Sequence, residues 1–319
     1  MQAAQVTDWS AGPHITTVPR PEPPADSSDL IQLRVVASAI HQLVRGRAAG
    51  QHYTSGPLPH TPGVDGTGID VTTGKCYYFS ILGGGNPSTG TFSEYVTVKK
   101  NAVTPLPEGV DPIIAAALTN PVMSSWMALK YRAQITEGWS VIIMGATSAS
   151  GKIAIRVARQ LGAVKVFGAA RGEAALKELD LDGYAVLNSE NPAETDFSAV
   201  SSASVLLDYL WGPWPSAYLA STARAGVKSP LQIVSIGTMA GDETPQSSSA
   251  LRSRDVTIRG AGPGAWSPMK LMEETSGMLG VLKGMEDDGS GKLVKMMKMT
   301  DVEEAWKVKG PRVVLVNEQ

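Results

Sequence analysis

The sequence predicts an α/β protein of two domains, a β-rich N-terminal domain and a doubly wound parallel sheet. Three observations predict it. The chain has 319 residues, more than one average domain. Up to about residue 115, short alternating segments are broken repeatedly by Pro and Gly. From Ser140 onward, apolar strand-like runs alternate with segments of helical period, which implies parallel strands joined by crossover helices.

In the N-terminal part, PRPEPPADSS reads as a proline-rich loop and LIQLRVVASAI as a strand. GTGIDV, KCYYFSI and FSEYVTV follow as further strands, and GGGNPSTG is a loop. From Pro112 the run IIAAALTNPVMSSWMALKYRA has helical spacing, with an interruption expected near Asn120-Pro121. Then come VIIMGATSASGKIAIRVARQLGA, KVFGAA, a helix around Ala174 to Leu179, AVLN, SVLLDYL, a helix around Trp214 to Arg224, QIVSIG and VTIRGAG. Met269 to Met285 reads as one more helix, and PRVVLV as a late strand that returns to the first domain. The expected division is 1–118 with 290–319 for the first domain and 119–289 for the second.

Val141 to Ala163 is the most informative stretch. A short apolar strand meets a turn of small residues, Gly145 to Gly151, and Ile153, Val157 and Leu161 then recur at helical spacing. Small residues let a ligand approach the backbone, and free amides at the helix start face an anion. The turn departs from the Walker A spacing, because five residues separate Gly145 from Gly151-Lys152 and Ile153 follows the lysine. It also lacks GxGxxG. The pattern that stands is GxxSxxG, from Gly145, Ser148 and Gly151. A phosphate site and a tight turn without ligand both fit it.

Composition narrows the class. Apolar content of 43% and charge of 18% suit a globular protein, and a net charge of −2 gives no electrostatic reason to expect nucleic acid or an anionic membrane. Cys76 is the only cysteine, which excludes an intramolecular disulfide and, with the four histidines scattered at 14, 41, 52 and 60, a multi-cysteine zinc site as well. No stretch reads as long and apolar enough to span a bilayer, and MQAAQVTDWS lacks the pattern of a secretion signal. A cytoplasmic location is the expectation.

The ordered set PHTPGVDGTG, GTFSEYVTV, PLPEGV, ALTNPVMSSWMAL, GATSASGKIAIRVARQLGA, LLDYLWG and VSIG resembles the medium-chain dehydrogenase/reductase superfamily, and more narrowly its zinc-free, quinone-oxidoreductase-like branch. The resemblance covers nearly the whole chain. It implies a GroES-like domain of β-barrel type joined to a Rossmann domain, NAD(P) in the cleft, and a homodimer. Zinc-using relatives place a Cys in the segment here reading AIHQLV, a His in the segment here reading Gly63-Val64-Asp65, and a further ligand where Met123, Ser124 and Ser125 stand. No metal is therefore expected, and hydride transfer to a quinone or to the C=C bond of an α,β-unsaturated carbonyl, as in enoyl reductases, fits better than alcohol chemistry. Secondary metabolism is an expected setting. The alternative is a chain that binds NADP(H) without redox turnover, in a structural, sensing or cyclase-type role.

The resemblance also implies site residues. The cofactor turn comprises Gly145, Ala146, Thr147, Ser148, Ala149, Ser150, Gly151 and Lys152. Arg171, where an NAD-binding fold would carry Asp or Glu, suits a 2′-phosphate and selects NADPH, unless it is only a solvated helix-start residue. Ser148 stands where relatives have glycine and either crowds the pyrophosphate or gives it a hydroxyl. Leu210, Ser235, Ile236, Gly237, Gly260 and Gly262 are expected near the nicotinamide, and Asn188 near adenosine. Asn120 and Ser124 are expected to approach the nicotinamide or its ribose, although Asn120 equally reads as a helix cap. For proton delivery the catalytic candidates are His41, otherwise a structural histidine, and Tyr53, otherwise a packing aromatic. The methionines of MKLMEETSGMLGVLKGM and LVKMMKM are expected to fill helix faces, and Glu286, Asp287 and Asp288 to form a solvated helix end.

Overall fold

The computed structural model describes residues 1–23, 27–52, 54–81, 90–285 and 294–318. The chain divides into two compact units, Met1–Asn120 with Pro268–Gln319, and Pro121–Ser267.

The first unit begins with an antiparallel pair, β1 (Gln2–Gln5) and β2 (His14–Thr17). Strand β3 (Leu30–Ile40) carries the alternating LIQLRVVASAI run and leads into helix α1 (Gln42–Ala48). Strands β4 (Asp65–Asp70), β5 (Cys76–Ser80), β6 (Tyr95–Lys99) and β7 (Val103–Pro105) follow. Inward-facing Leu33, Val35, Phe79, Phe92 and Val96 form the core of this unit, as period-2 patterning requires. The loop read in GGGNPSTG and the acidic run 286–288 lie outside the described residues, apart from Gly90.

Helix α2 (Pro112–Met127) starts at Asp111, whose Oδ1 accepts the amides of Ile113 (2.8 Å) and Ile114 (2.9 Å). The expected break at Asn120-Pro121 does not occur. Pro121 sits inside the helix, which continues into a π turn over Ala128–Arg132. An interior proline disfavours a helix by about 3 kcal/mol, but Ile114, Ala117, Leu118, Val122 and Met127 are buried beside it, and their packing outweighs that term. By length and composition Pro112–Arg132 also passes as a membrane span, with mean hydropathy 1.2, contrary to the sequence reading; 78% of that window is buried inside the protein.

The second unit alternates as expected: β8 (Ser140–Met144), α3 (Ala149–Gln160), β9 (Lys165–Ala170), α4 (Glu173–Lys177), β10 (Gly183–Val186), β11 (Val205–Asp208), α5 (Trp214–Arg224), β12 (Leu231–Ser235), α6 (Ser248–Ser253) and β13 (Val256–Gly260). The strands form a parallel sheet in the order β10-β9-β8-β11-β12-β13. Strand order reverses between β8 and β11, so the crevice beyond their carboxyl ends is where a doubly wound sheet binds its ligand. Ile142, Met144, Phe167, Leu206, Tyr218 and Ile233 form its core.

The chain then adds α7 (Pro268–Val281), β14 (Val294–Lys298), α8 (Val302–Lys307) and β15 (Arg312–Val316). The return to the first unit falls at Pro268 rather than near 290, because α7 packs beside β7 and the amide of Gly284 donates to the Gly109 carbonyl (3.3 Å). Strand β15 pairs antiparallel with β3, which places the late PRVVLV strand as expected, and β14 pairs parallel with β15. Of the LVKMMKM methionines, Met296 and Met297 therefore lie on a strand, not a helix, with Met296 half exposed, and Met299 is buried in the 3-10 turn that follows. On α7 only Met278 is buried, while Met269 is 62% exposed and fills no core.

Candidate active site

In the second unit the site starts where β8 ends. Gly145 has φ 89°, a left-handed value that a side chain resists. Its amide and that of Ala146 both donate to the Ala169 carbonyl (2.8 and 3.2 Å), which pins the turn to β9. Ser148 is the N-cap of α3: its Oγ accepts the Gly151 amide at 3.0 Å, and its carbonyl accepts the Lys152 amide at 2.9 Å. The sequence reading treated the amides at this helix start as free; that of Gly151 is engaged. The N–H groups of Ala149 and Ser150 remain without an intrahelical acceptor, at the positive end of a helix of 12 residues. Gly151 packs so closely over the turn that any side chain there would meet Ala146. Two amides, a favourable dipole and a backbone open to close approach fit a pyrophosphate. Ser148 is exposed, and as an acceptor from Gly151 it keeps its own hydroxyl proton for an anion. Thr147 and Lys152 border the same turn, half-buried and exposed respectively.

Asp208 organises the other side of the crevice. It ends β11, in register with Met144 of β8 and Ser235 of β12. Its Oδ1 accepts the amides of Leu210 (2.8 Å) and Trp211 (3.0 Å), and its carbonyl accepts those of Ile236 (2.7 Å) and Gly237 (3.2 Å). Trp211 is thereby held at φ 55°, unusual for a bulky residue. Leu210 packs against Gly145, where an added Cβ would stand 3.3 Å from its Cδ2. The amide of Ala261 donates to the Ser235 carbonyl (2.7 Å), so Gly260 and Gly262 are tied to the same strand end. Asp208 itself is buried, and its Oδ2 has no partner among the described residues. Burial pushes its carboxyl up to about 6, against the two amides that favour the charged form. Nearby, the Tyr209 hydroxyl lies 3.4 Å from Ser124 Oγ, and burial pushes its pKa up to about 12.

Arg171 and Asn188 follow the ends of neighbouring strands, since β9 and β10 pair up to Ala170 and Val186 and the Leu187 amide donates to the Ala170 carbonyl (2.9 Å). Arg171 follows β9, exposed and without an ion-pair partner among the described residues. Asn188 closes a turn after β10, its Oδ1 accepting the amides of Glu190 (3.1 Å) and Asn191 (3.0 Å). Asn120, the last residue of the first unit's opening segment, is interior to α2, so the capping alternative is removed.

In the first unit His41 lies at the end of β3, buried, with Nε2 3.3 Å from Asp65 Oδ1. Tyr78 donates to Asp65 Oδ2 at 2.7 Å, and the Asp65 carbonyl accepts from Ser38 (2.7 Å) and Thr91 (3.0 Å). Burial pushes His41 below the usual imidazole range, opposed by Asp65, and pushes the Tyr78 phenol well up. Arg312 begins β15 beside this group, its guanidinium pushed down to about 10 by burial, with Asp65 opposing. Tyr53 lies outside the described residues. Among the described residues, no three His, Cys, Asp or Glu side chains are grouped to hold a metal ion.

Sequence reasoning missed Asp208, Tyr78 and Arg312. Asp208 carried a readable signal, an acidic residue inside the apolar run VLLDYL. Arg312 carried none without the β3–β15 register.

A parallel sheet of this order, with a glycine turn and a carboxylate-braced loop at its switch point, defines a dinucleotide-binding protein. No family model matches the chain. It is 34% identical over 363 residues to the "Probable NADPH-dependent quinone reductase tdiC" of Emericella nidulans, an alignment covering 99% of this chain and 100% of that protein. The chain belongs to the quinone oxidoreductase family of the medium-chain dehydrogenase/reductase superfamily. The quinone oxidoreductase of Rattus norvegicus is 29% identical over 160 residues, 47% of this chain and 46% of that one. The fold is shared with the quinone oxidoreductase of Thermus thermophilus, also solved as its complex with NADPH. Its TM-score is 0.76 at 24% identity, over 99% of this chain and 100% of that one.

Proposed function

We propose that this chain is an NADPH-dependent oxidoreductase that reduces a quinone. The observation that carries this reading is the end-to-end 34% identity with a protein named for that activity. The geometry supports it residue by residue. Ala149 and Ser150 offer amides, and Ser148 a hydroxyl, to the pyrophosphate. Arg171 is exposed after β9 and unpaired by any carboxylate among the described residues, so its guanidinium would pair with a 2′-phosphate. Asp208 sets the positions of Leu210, Ile236 and Gly237 at the crevice that would take the nicotinamide. When bound, NADPH supplies a hydride from its nicotinamide ring.

The finer reading is zinc-independent. The segments AIHQLV and Gly63-Val64-Asp65 and the residues Met123, Ser124 and Ser125 stand where zinc-using relatives carry their ligands, and His41, within the first of these, is engaged with Asp65. Hydride acceptance then depends on conjugation within the substrate, which a quinone and an α,β-unsaturated carbonyl both supply. We further propose a cytoplasmic homodimer, which light scattering and cell fractionation test.

NADPH oxidation followed by absorbance across a panel of quinones and enones is the direct test, with NADH as the control. Turnover of quinones with NADPH is expected. Tight NADPH binding with no turnover of any acceptor would point instead to a repurposed, non-redox chain.

A further inference from the structure

The first unit holds a cavity of about 480 Å³ between the β1–β2 loop, α1 and α8, with Trp9 and Trp306 in its walls. That volume suits a small molecule. Both indoles are seated on glycine. A Cβ on Gly50, which has φ 67°, would stand 2.8 Å from Trp9 Cδ2, and a Cβ on Gly12 would stand 3.1 Å from Trp306 Cδ1. Gly46, Ala48 and the C-cap Ala49 line the same cavity with nothing larger than a methyl group. Broad aromatic walls beside bare backbone and methyl groups suit a flat ring, which stacks on indole. Trp9, unlike Trp306, is exposed, so its ring is the one open to an occupant.

Arg45 decides the charge of that occupant. It is half-buried, and its guanidinium carbon lies 4.8 Å from the Trp306 ring centroid. Its Nη1 and Nη2 donate to the carbonyls of Trp306 (2.7 Å) and Val308 (3.3 Å), which fixes the group on α8. Those bonds use two of its five N–H groups and leave its charge in place. No carboxylate pairs with it among the described residues, and burial pushes it below the usual guanidinium range with no acidic group opposing. None of the residues lining the cavity is acidic. Asp8, beside the lining residue Ser10, is engaged by the Ser10 amide (2.8 Å) and hydroxyl (2.7 Å). The sequence from Leu30 to Val64 contains no Asp or Glu at all. A half-buried cation with unused planar donors favours a planar anion, and a carboxylate matches its fork. Gln42 and Gln51, both exposed at the cavity, add side-chain amides that can donate to the same oxygens.

We propose that this cavity is a binding site for a flat aromatic carboxylate, with the ring against the Trp9 indole and the carboxylate on Arg45. The first unit builds the site alone. It shares no residue with the phosphate turn or with the Asp208 brace, so it does not rest on the quinone-reductase reading. Occupancy ties the β1–β2 loop to α1 and stabilises the folded chain by linkage.

The test is calorimetric titration of 2-naphthoate into the full chain, with NADP⁺ in excess so that the dinucleotide crevice is taken. One equivalent of naphthoate is expected to bind. The uncharged 2-naphthamide, of the same shape, should bind roughly 10- to 100-fold more weakly, the loss of a hydrogen bond to a charged group. Arg45→Gln should weaken naphthoate by a similar factor and leave naphthamide nearly unchanged, and Trp9→Ala should weaken both about 2- to 12-fold. No saturable naphthoate binding below about 1 mM would overturn the site, as would equal affinity for naphthoate and naphthamide in the native chain. Naphthoate binding that survives unchanged in Arg45→Gln and Trp9→Ala would place the acid elsewhere and overturn it too. Tighter binding of N-acetylphenylalanine than of naphthoate would mark a peptide C-terminus as the occupant and overturn the flat ligand. Because Arg45 also ties α1 to α8, Arg45→Gln may not fold; Trp9→Ala, in an exposed loop, and the comparison of the two probes on the native chain then decide. Quinone turnover is read separately, and its absence beside Arg45-dependent naphthoate binding would sink the redox reading and uphold the site.

Discussion

A methyl group on Gly151 would stand 2.7 Å from the Cα of Ala146, and it would also overlap the carbonyl of Gly145. Helix α3 therefore approaches the phosphate turn as closely as a backbone without side chains allows. Gly151→Ala should push the helix off the turn, with a loss of roughly 1–3 kcal/mol in thermal unfolding and a larger proportional loss in NADPH affinity. Gly260→Ala is the control, because its added Cβ would meet nothing within 4 Å. Unchanged stability in Gly260→Ala beside a marked loss in Gly151→Ala is the expected pattern.

Ser148 does two separable things. Its oxygen caps the Gly151 amide, so Ser148→Ala should lower stability by about 1 kcal/mol, and Ser148→Gly by only a few tenths. Its proton is left for a phosphate oxygen, so both variants should weaken NADPH binding by about 2- to 12-fold, the span of one neutral hydrogen bond. Tighter binding in Ser148→Gly would mean that the side chain crowds the pyrophosphate.

Arg171 should discriminate between cofactors. With no carboxylate partner to give up among the described residues, its guanidinium can pair with a 2′-phosphate, and its exposure places the effect at the low end for a charge-assisted contact. Arg171→Ala is expected to raise the NADPH dissociation constant about tenfold and leave that of NADH unchanged. Equal losses for both cofactors would remove Arg171 from the selection.

Much of the second unit was legible because local chemistry there agrees with the fold. The glycine turn after Met144 and the switch of period at Ser148 predicted a strand, a turn and a helix, and those elements form. The unread parts are those that distant chain decides. Val294–Lys298 contains Lys and Met, good helix formers, yet becomes a strand because β15 offers it a ladder. Pro121 signals a break, and buried neighbours override it. Helix α7 has a readable period, but nothing in that period says that its partner is β7. Arg312 and His41 are brought together only by the β3–β15 register, so their proximity was invisible in sequence. Asp208 was visible as an acidic residue in an apolar run, and what it braces became clear only with the loop that follows it.

That brace sets up a pH dependence of unusual sign. The Asp208 carboxyl is raised from 3.8 to about 6 in the folded protein, first by burial, so the fold holds its proton more tightly than the unfolded chain does. Between those two values the native state binds more protons, and linkage makes stability fall as pH rises. Below the window the penalty is absent, and above about 6 it is fully present, on the order of 3 kcal/mol. Asp208→Asn keeps an oxygen for the amides of Leu210 and Trp211 and cannot ionise. The variant should therefore melt higher than the native protein above pH 6, with the difference shrinking to nothing as pH falls below 4. Urea melts at intervals across that range check it. A difference that stays constant with pH would mean that Asp208 acts through its hydrogen bonds alone, with its charge tolerated in the buried loop.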